Sequence, residues 1–223
     1  MECTKKLILG SASPRRRELL EQIGLDFTVV TSDVEEKVTS KIPAQVVQEL
    51  SAQKAKNVFC RFCEEVTDQS SARIDSCEEG SLEEKRKRAS SEILVIGADT
   101  IVAHGDTILG KPYSKENAIS MLKLLQGGMH QVYTSVSFIW EQDKQVQMHT
   151  FYEKTDVEVL PMTEDEITYY VNLNTCMDKA GAYGIQNEFA CFVKGINGDY
   201  NNVVGLPVCR VYRELCKLGF LKL

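Results

Sequence analysis

The sequence lacks most of the short signatures from which a chemistry is usually read. It has no Walker-type phosphate loop and no G-x-G-x-x-G dinucleotide fingerprint, so neither common nucleotide-binding turn is available. It has no H-E-x-x-H, and His104, His130 and His149 stand at no spacing that ligates a metal. The acidic stretch TSDVEEKVTS lacks the spacing of a calcium loop. No apolar run approaches the length of a bilayer-spanning helix. The opening MECTKKLILG has too short an apolar stretch for a secretory signal and no small-residue cleavage site. Eight cysteines are present, but their spacing does not suit a compact disulfide scaffold, and a chain of 223 residues does not need one. They are expected to be reduced thiols in a cytoplasmic protein. Cys60 and Cys63 form a C-x-x-C with Cys77 nearby, yet no fourth ligand stands at zinc spacing. A net charge of −6 disfavours general nucleic-acid binding but leaves room for a local cationic cleft around a small anion.

What is present reads as alternating strands and helices. KLILG is a short apolar run ending in Gly, expected to be a buried strand. SASPRRREL then reads as a turn entering a helix, with Ser13 at the N-cap, Pro14 at the first helical position, and Leu19, Leu20 and Ile23 on one face. FTVVT alternates as a strand, and SDVEEKV follows as an acidic loop. Pro43 opens a long helix with Val46, Val47, Leu50, Val58 and Phe59 roughly on one side. Residues 64–91 are polar and charged, and are expected to be a flexible insertion or a solvated extension of that helix. In ILVIGADTIV a β-rich run is expected to end at Gly97, with Asp99 just beyond. Gly105–Asp106 marks a hairpin turn, and Ser114 caps a helix. HQVYTSVSFIW and VQMHTFYEKTDVEVL alternate as two long paired strands. Thr163 to Glu166 is a capping box. MDKAGAYGIQ is Gly-rich and irregular, CFVKGINGDYNNVVGLP supplies a strand and a turn, and a last helix runs from near Pro207 to about Leu218. The order implies a mixed sheet within one domain over residues 1–223.

Three successive arginines at a helix start oppose the helix dipole. Free backbone N–H groups at such a turn attract anions, and Arg matches phosphate oxygens in a bidentate way. Arg15 and Arg16 are therefore candidate phosphate ligands, while Arg17 is expected at the surface. Other stretches also place charge or glycine where packing does not ask for it. These are Glu35–Glu36 with Lys54 downstream, GADT with Lys111 after it, and DKAGAYGIQ. Taken singly, each has a structural explanation: Asp99 as a turn residue, Lys54 as a surface lysine, Lys179 as the partner of Asp178. Together they offer cations for a polyphosphate (Arg15, Arg16, Lys54, Lys111), carboxylates for a hard divalent metal (Glu36, Asp99), and Gln186 as a base-reading amide. A carboxylate beside such a metal can also take a proton from water attacking phosphorus.

The stretches LILGSASPRRRELLEQIGLDFTVV, SAQKA, VIGADTIV, GKP, MDKAGAYGIQ and INGDYNNVVGLP, in this order along nearly the whole chain, resemble the Maf family of nucleoside triphosphate pyrophosphatases, related to the inosine triphosphatase superfamily. The polar segment near 64–91 is longer than is usual there. The resemblance implies an elongated, two-lobed α/β fold, with a central mixed twisted sheet flanked by helices and the nucleotide cleft between the lobes. It implies hydrolysis between the α and β phosphates, giving a monophosphate and pyrophosphate. Asp99 would be the proton acceptor. Glu36 would bind metal (Mg²⁺ or Mn²⁺, with Asp99) or orient the water. Arg15, Arg16, Lys54 and Lys111 would grip phosphates with help from Ser13, and Asp178 and Lys179 would shape the cleft. Arg15, Thr100 and Gln186 match the branch acting on dTTP, UTP and related pyrimidine nucleotides, CTP or modified pyrimidines included. A second branch carries an aromatic residue, Gln and Glu at these three places and favours 7-methyl-GTP. A neutral Gln both donates and accepts, as a uracil or thymine edge requires. Asn187 and Glu188 replace a usually Gly-rich stretch. The competing readings are a 7-methyl-GTP pyrophosphatase, and a non-catalytic cell-division (septum) regulator or nucleic-acid-binding protein that keeps the fold. By analogy the protein is expected to be a homodimer with a nucleoside triphosphate as its partner and neither membrane nor nucleic acid.

Overall fold

The computed structural model describes residues 2–72 and 90–222. A seven-stranded mixed sheet forms the centre. Strand β2 (Lys6–Gly10) pairs in parallel with β3 (Phe27–Val29) on one side and with β4 (Ile93–His104) on the other. On the far side of β4 the pairing becomes antiparallel, through β6 (Met129–Gln142), β7 (Gln145–Val159) and β8 (Val193–Asn197). The short β5 (Thr107–Leu109) folds back on the end of β4 through the turn at Gly105, as expected from the Gly-Asp pair. Outside this sheet, β1 (Glu2–Cys3) and β9 (Leu221–Lys222) pair the two ends of the chain.

Alternation sorts side chains to the two faces of the sheet. Ile8, Ile93, Val95 and Ile139 meet Ala55, Val58, Phe59 and Cys63 of the long helix α2 (Pro43–Ala72) on one face. The helix continues to Ala72, so the first part of the polar segment extends it, while residues 73–89, with Cys77, lie outside the described residues. Leu7, Leu9, Leu94 and Ile96 point to the other face. There they join α1 (Pro14–Gln22), α3 (Lys115–Leu125), α4 (Glu164–Asn172), the short α5 (Tyr200–Val204) and α6 (Val208–Lys217) in one core. Two of the expected caps are made. Ser114 accepts from the Asn117 amide, and Thr163 and Glu166 form a reciprocal capping box.

One expectation is corrected. The strand through ILVIGADTIV does not end at Gly97 but runs on to His104, so Asp99 sits inside β4. What ends at Gly97 is the pairing with β2, whose last partner is Gly10. Continuous pairing with β6 from Leu94 to Ala103 carries β4 onward. Gly97 does not stop the strand; it lets α2 approach. A Cβ there would lie 2.6 Å from both the Ser51 carbonyl oxygen and the Ala55 amide nitrogen.

His130, on β6, is fully buried, and its Nε2 lies 2.7 Å from the Tyr183 hydroxyl. Burial, with a smaller contribution from His104, lowers its pKa from 6.5 to about 4. A histidine held neutral in the fold favours folding fully above its unfolded pKa and loses that contribution as pH falls from 6.5 toward 4. The loss amounts to about 3 kcal/mol across that window. It should appear as a falling urea midpoint between pH 6.5 and 4.5, with the His130 ring resonances unshifted above about pH 5. A ring that titrates near 6.5 would contradict this burial.

Candidate active site

Between the Gly10–Gly97 pair and the β5 pairing that begins at Val102, residues Ala98 to Ile101 of β4 have no strand neighbour on their β2 side among the described residues. The chain leaves β2 through Ser11–Ser13 and enters α1, and the gap between this turn and β4 opens into a cleft of about 460 Å³. Ligands of open α/β sheets bind in such crevices beyond strand ends. Every residue singled out in the sequence for catalysis, phosphate binding or base reading lines this one cleft, although they come from positions 13 to 186.

Asp99 and Thr100 project from β4. Lys54 reaches in from α2, and its ammonium bridges two carboxylates, bonding Asp99 Oδ1 and lying 2.9 Å from Glu36 Oε1. Glu36 is carried by the acidic loop between β3 and α2. The loop is pinned to α2 by the Lys37 amide, which donates to Gln53, and by Thr39, which bonds Glu49 through both its amide and its hydroxyl. The two carboxylates therefore face one cation-sized point. Asp99 Oδ2 has no hydrogen-bond partner among the described residues, which leaves an acceptor oxygen for the cleft. His, Cys, Asp and Glu form no cluster of three or more that could hold a metal among the described residues. Two carboxylates on one point still fit a hard divalent ion whose remaining ligands are phosphate oxygens and water.

The three arginines part company. Arg17 pairs with Glu21 at the surface, as expected. Arg15 crosses the cleft mouth to Asp178, 2.7 Å away. Arg16 is buried, and its guanidinium donates to the Gly205 carbonyl at 2.8 Å, to Ser11 Oγ at 3.0 Å and to Thr100 Oγ1 at 2.9 Å. Ser13 holds the N-cap position, but its hydroxyl makes no cap bond. Instead the Ser11 oxygen accepts from the Ser13 amide and from Arg16. Both Ser11 lone pairs are thereby used, and its proton is left to donate. The first turn of α1 holds no acidic residue, so its free amides are open to an anion.

The opposite wall is the segment from Asp178 to Asn187. Lys179 lies folded over Gly184, where a Cβ would stand 2.6 Å from Lys179 Cε. Its ammonium bonds the Thr175 carbonyl and Asp178. Burial alone would raise the Asp178 pKa, but hydrogen bonds from Lys179 and Arg15 outweigh it and hold the carboxyl at about 2. Lys111 and Gln186 are exposed on the cleft and make no hydrogen bond or ion pair among the described residues. Val102, Val132, Tyr183 and Ile185 add an apolar portion to the lining. Cys60 is exposed and Cys63 buried, so the C-x-x-C pair does not converge on one point.

Sequence reading missed Ser11, Thr134 and Asn202. Thr134 and Asn202 are fully buried beneath Thr100. No local pattern in the sequence marks them, because their roles rest on hydrogen bonds to distant residues.

A family model described as Maf-like protein matches residues 6–218. The chain is 48% identical over 219 residues to a dTTP/UTP pyrophosphatase of Agathobacter rectalis, covering 96% of this chain and 98% of that protein. It is 39% identical over 215 residues to one of Lachnoclostridium phytofermentans, covering 96% and 95%. It is 42% identical over 212 residues to one of Bacillus cereus, covering 95% and 94%.

Proposed function

Because this chain belongs to the Maf family, we propose that it is a nucleoside triphosphate pyrophosphatase that hydrolyses dTTP and UTP between the α and β phosphates, releasing a monophosphate and pyrophosphate. The observation that carries the reading is the meeting of Glu36 and Asp99 at the Lys54 ammonium, inside a cleft that also presents Arg15, Lys111 and the uncapped α1 turn. A cleft built only to bind an anion has no use for two converging carboxylates, which repel it.

The triphosphate lies against the α1 turn, where backbone amides and the Ser11 hydroxyl donate to its oxygens. Arg15 exchanges its Asp178 partner for phosphate, and Lys111 closes from the other side. Asp99 accepts the proton of the attacking water through its free oxygen, and Lys54 keeps that carboxylate aimed. Glu36 and Asp99 would hold a divalent cation, Mg²⁺ or Mn²⁺, which when bound neutralises phosphate charge. The base lies against the apolar lining with its polar edge on Thr100 and Gln186. The reading extends to a cytoplasmic homodimer that clears the nucleotide pool. No helix among the described residues is long and apolar enough to cross a membrane.

Gln186→Glu tests the base reading. The carboxylate loses the amide's donor while keeping its acceptor, so kcat/KM for UTP and dTTP should fall about tenfold, with ATP and 7-methyl-GTP not falling in parallel. Unchanged relative rates across a nucleotide panel would remove Gln186 from the base site.

A further inference from the structure

Thr100 does not act alone. Its hydroxyl is the second link of a chain running away from the cleft: Arg16 Nη2 to Thr100 Oγ1 at 2.9 Å, Thr100 to Thr134 Oγ1 at 2.9 Å, and Thr134 to the Asn202 carbonyl at 2.8 Å. A guanidinium can only donate, and a carbonyl can only accept. A chain bounded by an obligate donor and an obligate acceptor has a single polarity. Thr134 spends its one proton on Asn202, so it must accept from Thr100. Thr100 therefore spends its one proton on Thr134.

The anchors at both ends are rigid. Thr134 stands directly opposite Thr100 in the β4–β6 pair. Asn202 is fixed by donating its side-chain amide to the Val132 carbonyl at 3.0 Å and to Thr155 Oγ1 at 2.9 Å. Thr155 in turn exchanges hydrogen bonds with the Asp199 backbone ahead of α5. Arg16, Thr134 and Asn202 are all buried, so no exposed side chain competes for these bonds.

We infer that Thr134, held by the Asn202 carbonyl, is a specificity-positioning residue: it fixes the Thr100 hydroxyl as an acceptor toward the cleft, and so selects bases that present an N–H donor. Uracil and thymine carry such a donor at N3; cytosine presents an acceptor there. The inference rests on the pyrophosphatase reading and narrows it, since it ranks CTP below UTP and dTTP. A hydroxyl free to rotate would donate to cytosine as readily as it accepts from uracil. A fixed one leaves the cytosine nitrogen facing a lone pair, an unpaired contact that buried polar sites reject strongly.

The test is the ratio of kcat/KM for UTP to that for CTP, measured for the wild type, Thr134→Val and Thr134→Ser. Thr134→Val removes the acceptor for the Thr100 proton, and the preference for UTP should fall about tenfold. Thr134→Ser keeps the oxygen and should retain the preference. Thr134→Val also deprives the buried Asn202 carbonyl of a donor and will lower stability. The ratio is read on folded enzyme alone, so a loss of folded protein lowers both rates together and leaves it unmoved. A wild-type ratio in Thr134→Val, or an equal loss in Thr134→Ser, overturns the relay. If the wild type cleaves neither nucleotide, the pyrophosphatase reading has failed. The relay is then judged by calorimetric binding of UMP against CMP to the same three proteins: a UMP preference lost only in the valine variant supports it, and equal binding overturns it.

Discussion

Asp99→Asn should lower kcat/KM for UTP by roughly a thousandfold, within the range general base catalysis supplies, while the protein stays folded. The substitution keeps the shape of the side chain and removes its capacity to take a proton. Asp99 is held in β4 by backbone pairing opposite Ser135, which does not depend on the carboxylate. Lys54 loses one charged partner but keeps Glu36 at 2.9 Å. The melting temperature should therefore move by only a few degrees, as for loss of a partly exposed ion pair. Rates near wild type with intact folding would show that another group takes the proton. Collapse of the fold would show that the Lys54–Asp99 bridge is structural first.

Gly97→Ala should be among the most destabilising single substitutions in the chain. The added methyl would meet the Ser51 carbonyl oxygen and the Ala55 amide nitrogen, each at 2.6 Å, and the Ala55 Cβ at 2.8 Å. The first two are backbone atoms of α2, so no side chain can swing aside; the helix itself must lift from the sheet. Overpacking of this kind costs about 3 kcal/mol or more, a fall of roughly 6–12 °C in melting temperature for a chain of this size. Lifting α2 also draws Lys54 away from Asp99, since Ser51 and Ala55 flank it on the same helix. Activity in the surviving folded fraction should fall as well. Thermal melting alongside specific activity per folded molecule checks both parts. A Gly97→Ala protein with wild-type melting and rate would mean that α2 does not approach β4 as closely as described.

The two predictions share a cause. The closeness of α2 to β4 that forbids a side chain at position 97 is what brings a lysine on the helix to an aspartate two residues further along the strand. Packing and chemistry are set by the same contact.

Much of this was legible in the residues themselves. The start of α2 at Pro43, the capping box at Thr163 and the long hairpin of β6 and β7 follow from local rules that tertiary structure did not override. The candidate site was legible as a set of residues, because charges and glycines without a packing reason fell in four separated stretches. The extent of β4 was not, since Gly97 reads locally as a strand breaker while the pairing with β6, more than thirty residues away, keeps the strand going. The burial of Arg16 was hidden by its charge. Its signal was nevertheless present: Arg16, Leu19, Leu20 and Ile23 repeat at the three- and four-residue spacing of one helical face, and that face is the buried one. Ser11, Thr134 and Asn202 carry no local signature, because their importance lies in hydrogen bonds across the sheet. Cys60 and Cys63 stand three positions apart on α2, one thiol exposed and the other buried.

The central claim is tested most directly by measuring pyrophosphate release from dTTP, UTP, CTP, 7-methyl-GTP, ITP and ATP with Mg²⁺ or Mn²⁺, with Asp99→Asn run in parallel. The account predicts release from dTTP and UTP above the others, and almost none from the variant. Release chiefly from 7-methyl-GTP would contradict the roles given to Arg15, Thr100 and Gln186 while sparing Asp99. A folded protein that releases pyrophosphate from none of the six would contradict the account at its centre.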